Sequence, residues 1–431
     1  MTAPAADDQP TPGGGDPGPG EADLSIEADP GAAADPGAAA DPGAAADPGA
    51  AADLSVSAIE AAAGVLDGVA RRTRVVHDPG LSAALGTPVW FKCEHEQHTG
   101  SFKLRGAYHR VATADPAARA RGVVAASAGN HAQGVAFAAA AFGVPATIFV
   151  PAGANPVKVA RTRRWGARVE EVPGGVEAAL AAAADFAARG GRLLVHPFDD
   201  PAVVAGQGTI GLELLDQVPD LGTVLVGVGG GGLVSGVAAA LRARRPGVRV
   251  IGVQSVLAPA FAISLRAGRR LTAVVGADLP GAVPLTADLP VTDVPGAAAR
   301  GRVIPVIPGS RLSGRPMLPR SAARPRTIAD GMAVSEPGAL TFALATRLVD
   351  EVVTVDEAAF WEAMVLLRRA GLAVEPAGAA PIAALLRHGG LAQGPTVAIL
   401  SGGNIDPGVA SRVKSLAAVA TDDVGELRTT A

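Results

Sequence analysis

The stretch FKCEHEQHTGSFKLRG, residues 91–106, decides how the rest of the chain is interpreted. At its centre is Lys103, one of only four lysines, so that arginine supplies most of the 37 basic side chains. A lysine amine, unlike a guanidinium, can lose its proton and attack a carbonyl carbon. The residues before Lys103 predict a loop, a Ser101 cap and a helix that starts at the lysine, where the helix dipole favours the neutral amine. A solvated surface lysine is the alternative.

Length and composition limit the classes of protein. The chain has 431 residues, enough for two domains, and is 48% hydrophobic, which allows a large core. Its net charge of −4, without a basic region, argues against nucleic-acid binding. The single cysteine, Cys93, rules out an intramolecular disulfide and favours a reducing compartment.

Neither a secretory signal nor a membrane span is predicted. The first residues lack a positive segment followed by an apolar one. The longest apolar run, residues 134–150, contains Gly143 and Pro145, so a helix followed by a buried strand explains it better than a span. We therefore expect a cytoplasmic protein with no membrane contact.

Two stretches break the regular pattern. Residues 1–53 are of low complexity, with Asp-Pro-Gly-Ala-Ala-Ala repeated from Asp29 onward, and predict a disordered tail because they offer nothing large to bury. Residues 273–324 are rich in Pro, Gly and Arg with no sustained period, and predict an irregular insertion.

Between these stretches, strand patterns alternate with helix patterns. From residue 121 onward, short runs of Val, Ile, Leu and Ala are each followed by a helical segment, most of them about ten or more residues long. Crossovers of this length join parallel strands, so the fold class is α/β with open, mainly parallel sheets.

A glycine run follows the buried strand that ends at Val228. Residues 229–232 are all glycine and lead into a helix, an arrangement in which bare N–H groups and a helix start can hold a phosphate. Gly227, Gly229 and Gly232 also satisfy G-x-G-x-x-G, but Gln254 stands where a dinucleotide site needs an acid. A smaller phosphorylated cofactor remains, with tight strand–helix packing as the alternative.

Two further turns follow strands. Residues 127–131 read SAGNH and precede a helix, so their N–H groups could hold a carboxylate, with a structural cap as the alternative. Residues 401–404 read SGGN and lie at the carboxyl end of the last strand, where α/β sheets place ligands. Cys93, His95 and His98 lie close together, but their spacing fits no common zinc pattern, so no metal is predicted.

Taken together, the motifs resemble those of the threonine/serine dehydratase group of fold-type II pyridoxal-phosphate (PLP) enzymes. The segments that carry the resemblance are TGSFKLRGA, ASAGNHAQGVA, GVGGGGLVSG, TIADGMAV, EPAGA and SGGN. They occur in the right order between about residues 57 and 414, and several spaced motifs are more specific than any one of them.

The resemblance implies a fold, an activity and a set of site residues. The fold would comprise a large domain (54–118 and 205–420) and a small domain (119–204), with the cofactor in the cleft between them. The activity would be conversion of L-threonine (and L-serine) to a 2-oxo acid and ammonia, with Lys103 as Schiff-base lysine and base. The implied cofactor residues are Lys103, Asn130 (ring hydroxyl), Gly229, Gly230, Gly231, Gly232 and Leu233 (phosphate), and Ser401 (pyridine nitrogen). The substrate carboxylate would contact Ser127, Ala128, Gly129, Asn130 and His131. Most members of the family are oligomers, so a homo-oligomer is expected.

Two alternatives stay open at this point. One is a serine racemase or a serine-specific dehydratase, although the racemases have a Ser hydroxyl where this chain has Ala128. The other is a catalytically silent PLP-binding protein. A divalent cation is not expected, because Gln254 stands where metal-binding relatives have a Glu.

Overall fold

The computed structural model describes residues 54–273 and 327–426, with side chains up to residue 418. The predicted tail (1–53) and all but the first residue of the predicted insertion (273–324) lie outside the described residues.

Helices and strands alternate through the described part. The helices are α1 (Val56–Leu66), α2 (Pro79–Leu85), α3 (Lys103–Ala112), α4 (Pro116–Ala120), α5 (Asn130–Ala141), α6 (Pro156–Arg163), α7 (Val176–Gly190), α8 (Pro201–Gln217), α9 (Gly232–Arg244), α10 (Ala260–Ala267), α11 (Ala339–Leu348), α12 (Glu357–Arg369), α13 (Pro376–Arg387) and α14 (Pro407–Glu426). The strands are β1 (Val75–His77), β2 (Val89–Lys92), β3 (Val123–Ala126), β4 (Ala146–Pro151), β5 (Arg168–Val172), β6 (Leu193–Leu194), β7 (Thr223–Gly227), β8 (Arg249–Ser255), β9 (Glu351–Val355) and β10 (Thr396–Ile399).

The strands form two sheets. The larger sheet has the order β1-β2-β10-β7-β8-β9 and is parallel except for the β1–β2 pair. The smaller sheet has the order β5-β4-β3-β6 and is parallel throughout. The predicted α/β class with mainly parallel strands is therefore confirmed. The exact limits of the two domains stay a prediction.

Both faces of the sheets are covered by helices. In β7, Leu225 packs with residues of α12 and α13, whereas its neighbours Val224 and Val226 pack with residues of α8 and α9. In β3, Val123 and Ala125 pack with α5, and the residues between and after them pack with α7. Successive side chains of a strand point to opposite faces, so strands buried on both faces read as continuous apolar runs.

Three of the sequence motifs follow the carboxyl ends of strands, and the order β10-β7 places two of them on neighbouring strands. In each sheet the polar turns follow the carboxyl ends of parallel strands: the SAGNH turn follows β3, the glycine run follows β7, and SGGN follows β10. The carboxyl ends of parallel strands lie at one edge of a sheet, which is where open α/β folds bind ligands. Within the described ranges, no helix is both long enough and apolar enough to cross a bilayer.

Candidate active site

Lys103 is the first residue of α3, as its place in the sequence predicts. Its Nζ donates to the Pro197 carbonyl oxygen at 2.6 Å, and burial lowers the pKa of the amine to about 8. The predicted Ser101 cap is wrong. Phe102 occupies the N-cap position without a side-chain hydrogen bond, because Ser101 pairs with Gly402 in an isolated β-bridge. The Ser101 hydroxyl is buried and has no hydrogen-bond partner in the described part of the chain.

The glycine run forms the turn between β7 and α9. Gly231 has a φ of 96°, in the left-handed region that favours glycine, and α9 begins at the next residue. The N–H groups of residues 229–233 are joined by no hydrogen bond to any acceptor that the structure describes. A helix start with free N–H groups is suited to an anion.

Packing also requires glycine in this run. A Cβ atom at Gly230 would overlap the Phe198 ring, and one at Gly231 would lie 2.5 Å from Phe261. Tight packing, the alternative reading of the run, therefore applies as well as the free N–H groups. Phe198 directly follows Pro197, the residue that accepts the hydrogen bond from Lys103. The lysine amine and the glycine run thus both contact the short segment of Pro197 and Phe198.

The SAGNH turn follows β3 of the smaller sheet and is hydrogen-bonded to residues that adjoin the larger sheet. Asn130 begins α5, and its Nδ2 donates to Glu375 Oε1 at 2.5 Å. Asn404 Nδ2 donates to Asn130 Oδ1 at 2.8 Å and to the Thr99 carbonyl oxygen at 2.8 Å. The structure therefore joins SAGNH, EPAGA and SGGN through side-chain hydrogen bonds.

The other members of the SAGNH turn have different surroundings. Ser127 Oγ accepts from the Gly129 N–H at 3.1 Å, a local turn bond, and the Ala128 methyl is partly buried. His131 is buried, and its Nε2 lies 2.9 Å from the Val195 carbonyl oxygen. Burial, with Lys103 nearby, lowers the pKa of His131 to about 3, so the imidazole is neutral.

Ser401 lies beside the lysine loop. It is buried, and its carbonyl oxygen accepts from the Phe102 N–H at 3.1 Å. The next carbonyl, of Gly402, accepts from the Glu375 N–H at 3.0 Å. A Cβ atom at Gly402 would overlap the Glu375 carboxyl group, so glycine is required here for packing.

Glu375 lies in the EPAGA motif, and the sequence predicts no role for it. It is 7% exposed, and burial raises its pKa to about 7, supported by Asp330 and opposed by the hydrogen bond from Asn130 and by Lys158 and Arg161. An acid in the apolar sequence around residues 372–386 is the only signal by which sequence reasoning could have singled it out.

Among the described residues, one group of possible metal ligands lies close together, but its surroundings do not favour a cation. The atoms that lie within 4.8 Å of one another belong to Cys93, His95 and Glu96, whereas the ring of His98 stacks on Phe137. Both Glu96 carboxylate oxygens accept from Arg74, whose positive charge opposes a cation. Gln254 uses its amide to bind the Val228 carbonyl oxygen and the Ala262 N–H. That the protein needs no metal stays a prediction.

Comparison with known proteins defines the class that this fold and site represent. The sequence matches the family described as pyridoxal-phosphate dependent enzyme over residues 66–293 and 296–402, and the chain belongs to that family. The match includes much of the stretch predicted as an insertion.

Two similar proteins in the family are named L-threonine ammonia-lyase. The chain is 42% identical to an L-threonine ammonia-lyase of Geobacter sulfurreducens over 82% of this chain and 76% of that protein. It is 39% identical to an L-threonine ammonia-lyase of Thermotoga maritima over 84% of this chain and 78% of that protein.

Solved structures agree with this placement. A T.th. threonine deaminase is 35% identical, with a TM-score of 0.66, over 82% of this chain and 99% of that one. Maize serine racemase is 30% identical, with a TM-score of 0.68, over 84% and 98%. The predicted recognition of the family is confirmed.

The residues present fit pyridoxal phosphate. The Lys103 amine suits an aldehyde, the free N–H groups of residues 229–233 suit a phosphate, and the Asn130 amide and Ser401 hydroxyl suit polar atoms of a ring. When bound, pyridoxal phosphate supplies the aldehyde that links the substrate amine and the ring that withdraws electrons from its α-carbon.

Proposed function

We propose that this protein deaminates L-threonine, and L-serine, to a 2-oxo acid and ammonia by β-elimination. The observation that carries the proposal is the Lys103 amine, which lies beside the segment that packs on the glycine run and has a pKa lowered by burial. Proteins called L-threonine ammonia-lyase, at 42% and 39% identity, support the substrate and the reaction.

Each predicted site residue has a role in this proposal. Lys103 holds the cofactor, and its freed amine takes the α-proton of the substrate. The N–H groups of Gly229, Gly230, Gly231, Gly232 and Leu233 bind the phosphate. Ser401 faces the ring nitrogen as a neutral partner, and Asn130 donates to the ring hydroxyl. The turn of Ser127, Ala128, Gly129, Asn130 and His131 holds the substrate carboxylate with its N–H groups.

The proposed reaction is balanced in atoms and protons over one turnover. The α-proton passes to Lys103, the β-hydroxyl leaves with a proton as water, and hydrolysis of the product enamine yields the 2-oxo acid and ammonia. A base acts best when its pKa lies near the working pH, and a lysine in water, at about 10.4, is too strongly protonated for this role. The lowered pKa of Lys103 therefore supports the assignment.

A keto-acid release assay tests this function. Purified protein loaded with pyridoxal phosphate is supplied separately with L-Thr, L-Ser and D-Ser, and 2-oxobutanoate or pyruvate is measured. We expect release from both L-amino acids. A visible cofactor band without keto acid from any of the three would instead indicate the silent PLP-binding protein.

Racemisation is expected to be slow because of Ala128. It needs an acid–base group on each face of the substrate, and Lys103 can serve only one face. A positioned acid or base contributes about 10²–10⁴-fold, and the Ala128 methyl has no proton to move. We therefore expect D-Ser to form from L-Ser about 10²-fold more slowly than pyruvate.

Chiral chromatography of the products measures this ratio. Ala128→Ser, with Lys103 intact, should raise the D-Ser fraction, and Ala128→Gly serves as the control that changes size without adding a hydroxyl. Equal rates of D-Ser and pyruvate formation by the unmodified protein would favour the serine racemase alternative.

The setting of the reaction is also a proposal. The single cysteine supports a cytoplasmic protein, and the net charge of −4 supports the absence of nucleic acid as a partner. Membership of a family whose members are mostly oligomers supports a homo-oligomer, which acts on a small amino acid without a membrane partner. Conversion of threonine to 2-oxobutanoate would serve isoleucine biosynthesis, whereas relatives with 36% identity are called catabolic.

A further inference from the structure

A directed chain of hydrogen bonds joins the SAGNH turn to the SGGN and EPAGA motifs. Asn404, in the turn after β10, donates from Nδ2 to Asn130 Oδ1, and Asn130, at the start of α5, donates from Nδ2 to Glu375 Oε1. Asn404 is itself oriented, because the same Nδ2 also donates to the Thr99 carbonyl oxygen. The order of donors and acceptors along this chain is therefore determined at each step.

These hydrogen bonds prevent the side-chain amide of Asn130 from rotating by 180°. A rotation by 180° would place Asn130 Oδ1 against the Glu375 carboxyl group and Nδ2 against Nδ2 of Asn404. The bond from Asn404 would be lost, with two N–H donors facing each other, and the Glu375 carboxyl group could bond Asn130 Oδ1 only in its protonated form. With the observed orientation, the Asn130 amide keeps one N–H free of these two partners.

The surroundings of Glu375 make it an acid that changes charge near neutral pH. Its carboxyl group is almost fully buried beside Gly402, and burial raises its pKa to about 7. The charged groups that act on it are Asp330, which favours the protonated form, and Lys158 and Arg161 of α6, which favour the ionised form. Lys158 forms an ion pair with Asp330, so their opposite effects partly cancel.

We propose that Glu375 is a positioning residue that, with Asn404, holds the Asn130 amide with an N–H group directed at the cofactor, and that ionisation of Glu375 weakens this donor. The proposal rests on the proposed function only in placing the cofactor ring beside Asn130.

The physical cause is that Glu375 and the cofactor both accept hydrogen bonds from the same Asn130 amide group. A neutral Glu375 accepts an ordinary hydrogen bond, whereas an ionised carboxylate accepts a stronger, charge-assisted one. The ionised group also places a negative charge beside the ring oxygen and disfavours its anionic form. The light absorption of the bound cofactor therefore changes as Glu375 titrates.

Cofactor binding and absorption, measured without substrate, test the proposal. Cofactor-free protein is titrated with pyridoxal phosphate at pH 6 and pH 8, and the visible spectrum of the loaded protein is recorded from pH 5.5 to pH 8.5. The variants are Glu375→Gln, Glu375→Ala and Asn404→Asp. The control is Glu351→Gln. Glu351 also has a pKa raised by burial, but it lies at the amino end of β9, away from the carboxyl ends of the strands where the motifs lie.

The expected results separate positioning from ionisation. Glu375→Ala and Asn404→Asp should weaken cofactor binding about tenfold, because each removes one hydrogen bond that orients Asn130. Glu375→Gln keeps an acceptor for Asn130, so it should preserve binding at pH 6 and abolish a spectral change centred near pH 7. Glu351→Gln should keep that change.

Other outcomes would overturn the proposal. A spectral change near pH 7 that survives in Glu375→Gln would show that another group titrates, and unchanged cofactor binding in Glu375→Ala would show that Asn130 needs no such partner. If Glu375→Ala fails to fold, Asn404→Asp and Glu375→Gln still decide. These measurements involve no turnover, so a failure to deaminate threonine would refute the proposed function without deciding this point.

Discussion

Replacing Lys103 by alanine is expected to abolish both keto-acid release and the visible absorption of bound cofactor. The physical reason is that no other lysine lies at this place: Lys92 is buried in a charged cluster, Lys158 is paired with Asp330, and Lys414 is exposed on α14. Loss of the base alone should lower the rate by about 10²–10⁴-fold, and loss of the cofactor link lowers it further. Both quantities are measured on protein loaded with pyridoxal phosphate.

Lys103→Arg is the sharper variant. Arginine preserves the positive charge and the length of the side chain, but it does not lose its proton, so it can neither form the link nor act as a base. Lys414→Ala, in the exposed part of α14, is the matched control and should behave like the unmodified protein. Activity retained in Lys103→Arg would contradict the assignment.

The same residue predicts a dependence on pH. The pKa of the Lys103 amine is lowered to about 8 in the cofactor-free protein, so half of the amine is neutral near pH 8. The rate at which added pyridoxal phosphate produces the visible band should therefore rise with pH and level off above about 8, rather than continue to rise toward the pKa of about 10.4 of a lysine in water. A rise that continued past pH 9.5 would contradict the lowered pKa.

Replacing Glu94 by alanine is expected to cost about 3–5 kcal/mol of the free energy of unfolding, because it leaves buried positive charge without its partner. Glu94 and Arg105 are both almost fully buried, and two hydrogen bonds of 2.8 and 2.9 Å join them. Arg105 also donates to Glu213 at 2.6 Å, and Lys92 pairs with the same Glu213. Denaturant unfolding measures the loss.

An exposed ion pair provides the control for Glu94. Arg72 and Asp216 form a pair at 3.3 Å in which both side chains are more than half exposed. Asp216→Ala should change the free energy of unfolding by less than about 1 kcal/mol, because solvent screens such pairs. Equal effects of Glu94→Ala and Asp216→Ala would mean that burial of the Glu94 cluster does not determine its contribution.

Glu94 also affects stability in acid. Burial by itself would raise the pKa of its carboxyl group, but Arg105 and Lys92, with a hydrogen bond from Thr73, hold that pKa below its usual value. A lowered pKa in the fold means that the stabilisation is complete above the usual pKa and is lost as pH falls through the lower one. The difference in stability between the unmodified protein and Glu94→Ala should therefore shrink only below about pH 4.

The amino-acid sequence by itself determined the local elements and their class. Alternating apolar and helical segments placed most helices and strands, because their hydrogen bonds and side-chain periodicity join residues close in sequence. Polar and glycine-rich turns after strands identified the ligand-binding edge. Lys103 stood out because an amine does what a guanidinium cannot.

Only the tertiary structure decided how these parts meet. β2 pairs with β10 across about 300 residues, and this pairing brings Ser101 against Gly402, so that the predicted Ser101 cap does not form. The same proximity gives Asn130 its two partners, Glu375 and Asn404, and brings Phe198 over Gly230. The strength of a hydrogen bond, the cost of burying a charge and the space left for a Cβ atom all depend on distances between residues far apart in the chain. A periodic pattern along the sequence holds no information about those distances.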